Sequence, residues 1–102
     1  MREGRHIRFV PTERIRWLES ERNYVVLHTE TGSVRMRSTL RDLSARLDPA
    51  RFVRVHRSRV VNLDHVDRVE PWFNGTYRVV LLDGTTLRVS RSYRRDLLLP
   101  AR

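Results

Sequence analysis

The chain contains no cysteine. Disulfides, iron–sulfur clusters and cysteine-ligated zinc are therefore excluded. A domain this small without disulfides suits a reducing cytoplasm. Lysine is absent too, so all 21 basic residues are arginine. No apolar run approaches the roughly 18 residues of a membrane span, and the N-terminus lacks the apolar core of a signal peptide. His6, His28, His56 and His65 show no metal-ligand spacing such as H-E-x-x-H. Nor is there a nucleophile elbow, a phosphate-binding loop or a paired-carboxylate motif. Asp64 beside His65 is weak support for acid–base chemistry, because neighbours on a strand face opposite sides. Without a convergent acid, base and nucleophile, the chain is not read as an enzyme. No cofactor or metal is expected.

What is present is charge of one sign. The 21 arginines stand against 12 acids, a formal net charge of +9 in 102 residues. Codon bias accounts for much of the preference for arginine over lysine, but not for the excess over acids. That excess points to a polyanion, with nucleic acid ahead of an anionic membrane. Arginine binds phosphate with a planar fork of donors and stacks on bases. The length fits one domain over residues 1–102, and 39% apolar residues support a modest core. No internal repeat, low-complexity segment or linker interrupts it. The chain opens directly on strand-like sequence, as a piece of a larger protein would.

Most of the chain reads as short strands with turn signals between them. Candidate strands cover residues 6–10, 15–18, 24–28, 33–37, 52–55, 60–62, 66–73, 76–82 and 86–89. Thr31-Gly32, Asn74-Gly75 and Asp83-Gly84 are hairpin signals. Leu40, Leu43 and Leu47 recur at helical spacing, which predicts a helix over 39–47. Ser38 or Thr39 would cap it and Pro49 would block its continuation. A short terminal helix is expected over 91–98. The sum is a mainly β fold, a sandwich or stacked-sheet arrangement with one clear helix. The spread-out aromatics are expected mostly in the core. Tyr93 stands apart, among arginines.

The most informative segment is Phe52-Val53-Arg54-Val55-His56-Arg57-Ser58-Arg59-Val60-Val61-Asn62-Leu63. Two β-type runs present a short, donor-rich cationic loop. No acid lies between Asp48 and Asp64, while Arg51, Arg54, Arg57 and Arg59 do. Two other loops share its character: Ser20-Glu21-Arg22-Asn23, and Ser90-Arg91-Ser92-Tyr93-Arg94-Arg95. Arginine reads guanine through O6 and N7, asparagine reads adenine through N6 and N7, and serine binds phosphates or bases. Each loop alone passes for an ordinary solvated turn; three alike in so basic a chain favour DNA. His56, where strand gives way to loop, is read as fixing the turn rather than touching a base. Asn62 is read as a turn-fixing amide.

In this order the features resemble the LytTR-type DNA-binding domain of bacterial response regulators. The resemblance is carried by Ile15-Arg16-Trp17-Leu18-Glu19-Ser20-Glu21 with Asn23-Tyr24-Val25, by Ser38-Thr39-Leu40 and Leu43, and by the central segment itself. Leu82-Asp83-Gly84 and Val89-Ser90-Arg91 complete it. It covers roughly Arg5 to Leu98. It implies an elongated stack of small antiparallel sheets whose loops, not a recognition helix, enter the major groove. It implies base contacts at Asn23, Arg57 and Arg91, where family members often carry another polar residue at the first of these positions. Arg22, Ser58, Arg59, Ser90, Arg94 and Arg95 are then expected on the DNA backbone, with His56 and Tyr93 in support. It further implies two copies on direct-repeat half-sites of double-stranded DNA. The usual N-terminal partner is a receiver domain of a two-component system, so a receiver or another sensor is expected in the full-length protein, in the cytoplasm and not on a membrane.

Two other classes compete. An RNA- or single-strand-binding β-module would expose aromatics on a sheet face and prefer unpaired strands. A protein-interaction or dimerisation module would show an exposed apolar patch and no salt-dependent nucleic-acid binding.

Overall fold

The computed structural model describes residues 9–93 and Leu97, together with two short strands near the N-terminus. Those strands, β1 (Arg2–Glu3) and β2 (His6–Ile7), pair with each other. The body consists of two antiparallel sheets. The larger is five-stranded, built from β3 (Ile15–Glu21), β4 (Tyr24–Thr29), β5 (Gly32–Arg37), β6 (Phe52–His56) and β7 (Arg59–Asn62), in the order β5-β4-β3-β7-β6. The smaller is a meander of β8 (Val66–Pro71), β9 (Tyr77–Leu81) and β10 (Thr86–Val89). The molecule is elongated, 46 × 25 × 24 Å. The expected architecture is therefore present: mainly β, small antiparallel sheets, one short helix.

The core is split in two, and β7 shows why. Val60 and Val61 are adjacent, so they face opposite sides of the sheet, and both are buried. Val60 packs with Ile15, Leu18, Val25, Leu27 and Val34 under Leu40 and Leu43 of helix α1 (Leu40–Ser44). Val61 packs with Val55 against Val79, Leu81, Leu87 and Val89 of the smaller sheet. The apolar pair in the sequence is thus one strand clamped between two layers.

Helix α1 has only five residues, too few to stand alone in water. Burial of Leu40 and Leu43 contributes about 1.5–3 kcal/mol each. Thr39 is the cap, its hydroxyl accepting from the Asp42 amide at 3.0 Å, worth about 1 kcal/mol. The helix is shorter than residues 39–47 because the chain turns after Ser44, and Leu47 packs on the same core from outside it.

Other boundaries also move. Residues 6–10 yield a strand only at His6–Ile7; Val10 lies in irregular chain and Phe9 is 87% exposed. The turn between β4 and β5 is Glu30-Thr31, and Gly32 opens β5 with φ 139. Strand β8 stops at Pro71, which leaves Trp72 and Phe73 on a hairpin tip, 45% and 56% exposed. They depart from the expectation that most aromatics lie in the core, because the strand ends before it reaches them. Arg91–Tyr93 forms a single 3₁₀ turn, and the rest of the terminal helix expected over 91–98 lies outside the described residues, Leu97 excepted.

Candidate nucleic-acid interface

The β6–β7 connection is a two-residue turn, Arg57-Ser58, closed by the pair His56↔Arg59. Two side chains hold it from either side. The Ser58 amide donates to His56 Nδ1 at 3.2 Å, and Ser58 Oγ lies 2.9 Å from the same nitrogen. Nδ1 is therefore an acceptor, and the neutral ring carries its proton on Nε2. Burial, followed by the positive charges of Arg59, Arg57, Arg88 and Arg54, holds the His56 pKa below its usual 6.5. From the other side, Arg54 donates through Nε to the His56 carbonyl at 3.0 Å and through Nη2 to the Arg57 carbonyl. Its guanidinium also faces the Tyr93 ring, 5.8 Å from the centroid. Arg57 itself is exposed.

The second loop lies at the same end of the large sheet. Strand β3 pairs with β7 through Glu19↔Arg59, so both turns leave the sheet together. The Ser20 amide donates to the Ser58 carbonyl at 2.9 Å, tying them. The turn itself is Arg22-Asn23, with Arg22 at φ 58 and the Asn23 carbonyl accepting from the Ser38 amide at 3.3 Å. The third loop joins from the smaller sheet. The Ser90 amide donates to the Val55 carbonyl at 2.9 Å, which docks the exit of β10 beside the β6 strand just before its turn. Arg91 follows, exposed, and reaches back to the Asn74 carbonyl through Nε at 3.0 Å and through Nη2.

A cavity of about 400 Å³ separates the second sheet from the Arg57 turn, lined by His56, Asn74, Thr76, Arg88, Ser90 and Arg91. Its rim is basic. Several arginines elsewhere are paired: Arg16 with Asp83 at 3.2 Å, Arg35 with Glu21 at 2.9 Å, Arg51 with Asp64 at 3.4 Å, Arg78 with Glu70 at 3.2 Å. Among the described residues, no acid lies within ion-pair distance of Arg22, Arg57, Arg59, Arg88 or Arg91. Arg37 at the end of β5, Arg41 on α1 and Arg46 just after it continue this unpaired set among the described residues. Unneutralised guanidinium groups thus gather where three turns converge.

Asn23, Arg57 and Arg91 are brought to one end of the molecule, together with Arg22, His56, Ser58, Arg59, Ser90 and Tyr93. Arg94 and Arg95 lie outside the described residues. The sequence reading counts Arg54 in the cationic interval without giving it a role, and it passes over Arg88. Both occupy outward positions of strands whose other face is buried, a pattern that reads as ordinary solvated surface. Asn62 is fully buried, donating to the Ile15 carbonyl at 2.8 Å and accepting from the Asp64 amide at 3.0 Å. Asp64 and His65 part company: Asp64 pairs with Arg51, while His65 Nε2 donates to the Glu13 carbonyl at 2.7 Å. Among the described residues no cluster of three metal-ligating side chains forms, and no helix is long and apolar enough to cross a membrane.

Comparison with known proteins decides the family. The model of the LytTr DNA-binding domain matches residues 5–99. The chain belongs to the LytTR family of DNA-binding domains. The sensory transduction protein LytT of Bacillus subtilis is 36% identical over 94 residues, covering 92% of this chain and 39% of LytT. The transcriptional regulatory protein LytR of Staphylococcus aureus is 39% identical over 70 residues, covering 69% of this chain and 28% of LytR. The chain therefore spans two fifths or less of the length of these relatives. Among solved structures, a LytTr DNA-binding domain from Bacillus cereus superposes with a TM-score of 0.81 at 27% identity, covering 87% of this chain and 84% of that one. In this LytTR domain the fold follows that neighbour.

Proposed function

We propose that this LytTR domain is the sequence-specific, double-stranded-DNA-binding part of a bacterial transcription regulator, and that its three turns enter the major groove. The convergence of three exposed, unneutralised turns carries this reading. Arg57 and Arg91 read guanine, each able to present a two-donor fork to O6 and N7. Asn23 makes a lesser base or backbone contact. Arg22, Ser58, Arg59 and Ser90 hold phosphates, joined by Arg88 on the cavity rim and by Arg94 and Arg95 downstream. His56 and Tyr93 support the Arg57 turn.

Two copies bind two direct-repeat half-sites. The regulator carries an N-terminal receiver or another sensor domain and works in the cytoplasm. Selection of bound sites from a random duplex library tests the reading. A spaced repeat with guanine at fixed positions is the expected outcome, and recovery of unrelated sequences would overturn it.

One observation favours a second reading. Trp72 and Phe73 are exposed, as a stacking platform for unpaired bases would be. They sit on a hairpin tip, however, and not on a sheet face. Competition between duplex and single-stranded probes separates the two, and we expect the duplex to win.

A further inference from the structure

The recognition turn that carries Arg91 is not self-contained. Its guanidinium leans on a different hairpin, the β8–β9 connection, through the main-chain carbonyl of Asn74. That connection is a tight Asn-Gly turn, with Asn74 at φ 57 and Gly75 at φ 74. Left-handed values at both central residues define a type I′ turn, closed by the Thr76 amide on the Phe73 carbonyl at 3.2 Å. Thr76 Oγ1 donates to the same carbonyl at 2.6 Å, and the Trp72 amide to the Thr76 carbonyl at 2.9 Å. Three hydrogen bonds thereby close the tip, and its Asn74 carbonyl points across to the Arg91 segment.

The donors used are informative. Nε–H and the nearer Nη2–H lie along one edge of the planar guanidinium, and both go to the Asn74 oxygen. Among the described residues nothing engages the other fork, Nη1–H with the second Nη2–H. An arginine has five donors in fixed directions, so fixing one edge aims the other. A free arginine loses considerable rotamer freedom when it docks on a base. One already anchored along its side loses less.

We propose that the Asn74 carbonyl is the positioning group for Arg91, and that it aims the end-on fork of this guanidinium at guanine. The β8–β9 hairpin then sets specificity at one base pair without touching it. Asn74 acts through Arg91, so the inference rests on the reading of Arg91 as a base-contacting residue.

Three variants test it on duplexes carrying the selected site, each compared with duplexes changed at single base pairs. Arg91→Ala identifies the base pair concerned. Asn74→Pro forces φ to about −65° and swings the carbonyl away. Asn74→Gly tolerates φ 57 and keeps it. Asn74→Pro is expected to lower guanine preference at the pair marked by Arg91→Ala by about tenfold, within the range of one bidentate contact. Preference at other pairs and the salt dependence should stay unchanged. Asn74→Gly should behave as wild type, and Asn74→Pro should add nothing in the Arg91→Ala background.

Full guanine preference in Asn74→Pro overturns the inference, and so does an equal further loss in the Arg91→Ala background. An Arg91→Ala variant with unaltered preference at every pair overturns the base-reading role of Arg91 and the inference with it. An Arg91→Ala effect without an Asn74→Pro effect removes the inference alone. A measurement on the unmodified domain is independent of how the variants fold. The Arg91 Nε–H should exchange slowly with solvent by NMR, in the free domain and on DNA alike. Exchange as fast as that of Arg22 would overturn the anchoring.

Discussion

The guanidinium of Arg54 donates to the main-chain carbonyl of Arg57, three residues on and across the β6–β7 turn. With its second bond, to the His56 carbonyl, it fastens the inner side of the turn while the Arg57 side chain stays exposed. His56 fastens the outer side through Ser58. A two-residue turn would otherwise sample several conformations, and a base-reading arginine on it would have to be ordered at the moment of binding.

Arg54→Met keeps the apolar stem but removes both hydrogen bonds. We expect specific-site affinity to fall by about 1–2 kcal/mol, the scale of hydrogen bonds from a charged donor. Binding to unrelated duplex should fall much less. Fluorescence anisotropy on the two duplexes measures this, and an equal loss on both would assign Arg54 to phosphate contact instead.

Arg57→Ala should cost about 1–3 kcal/mol on the specific site and relax base preference at one position. Equal binding of variant and wild type to the native promoter would remove the base-reading role.

Arg88 stands on the cavity rim without an acidic partner among the described residues. As a phosphate contact it carries no sequence information. Arg88→Ala should weaken all duplexes alike and flatten the slope of log K against log salt by about 0.9. With about six phosphate contacts the wild-type slope should be near −5. A wild-type slope close to zero would sink the electrostatic reading as a whole.

His56 gives a pH signature. Burial and the surrounding arginines depress its pKa in the folded domain, so near and below pH 6.5 the unfolded chain binds more protons at this site. Stability from the neutral ring is therefore full above the unfolded value of about 6.5 and declines as pH falls through the lower folded value. Thermal melts from pH 8 to pH 5 should show that decline, and it should be smaller in His56→Gln. An identical decline in both proteins would place its origin elsewhere.

Asn62 links the start of β3 to the exit of β7 while fully buried. Asn62→Ala strands the Ile15 carbonyl and the Asp64 amide, so unfolding free energy should drop by about 2–4 kcal/mol, combining two unmet groups. Urea denaturation measures it, and a change under about 0.5 kcal/mol would mean that water satisfies both.

Much of this was legible in the residues. Thr39 three positions before Asp42, Asn74 before Gly75, and the polar gap after Val55 each set local geometry through contacts only a few residues away. Such signals survive in sequence because they depend on nearest neighbours. Strand β8 ends earlier than expected for the opposite reason: the apolar Trp72 and Phe73 read as its continuation, and only the hairpin closing on Thr76 ends it. The roles of Arg54 and Arg88 were not legible because an arginine between buried aliphatic residues looks the same whether its head meets water or a neighbouring carbonyl.

The sequence by itself determined a basic, cysteine-free, mainly β domain and the three turns that carry its candidate contact groups, since charge, alternation and turn chemistry are local properties. Only the tertiary structure decided that those turns share one end, that β7 lies between two cores, and that Arg54 and the Asn74 carbonyl brace the arginines. Those relationships run between strands, within the large sheet through Ser20 to Ser58 and between the two sheets through Ser90 to Val55. Such bonds form only once the apolar faces have packed, and no spacing along the chain encodes them.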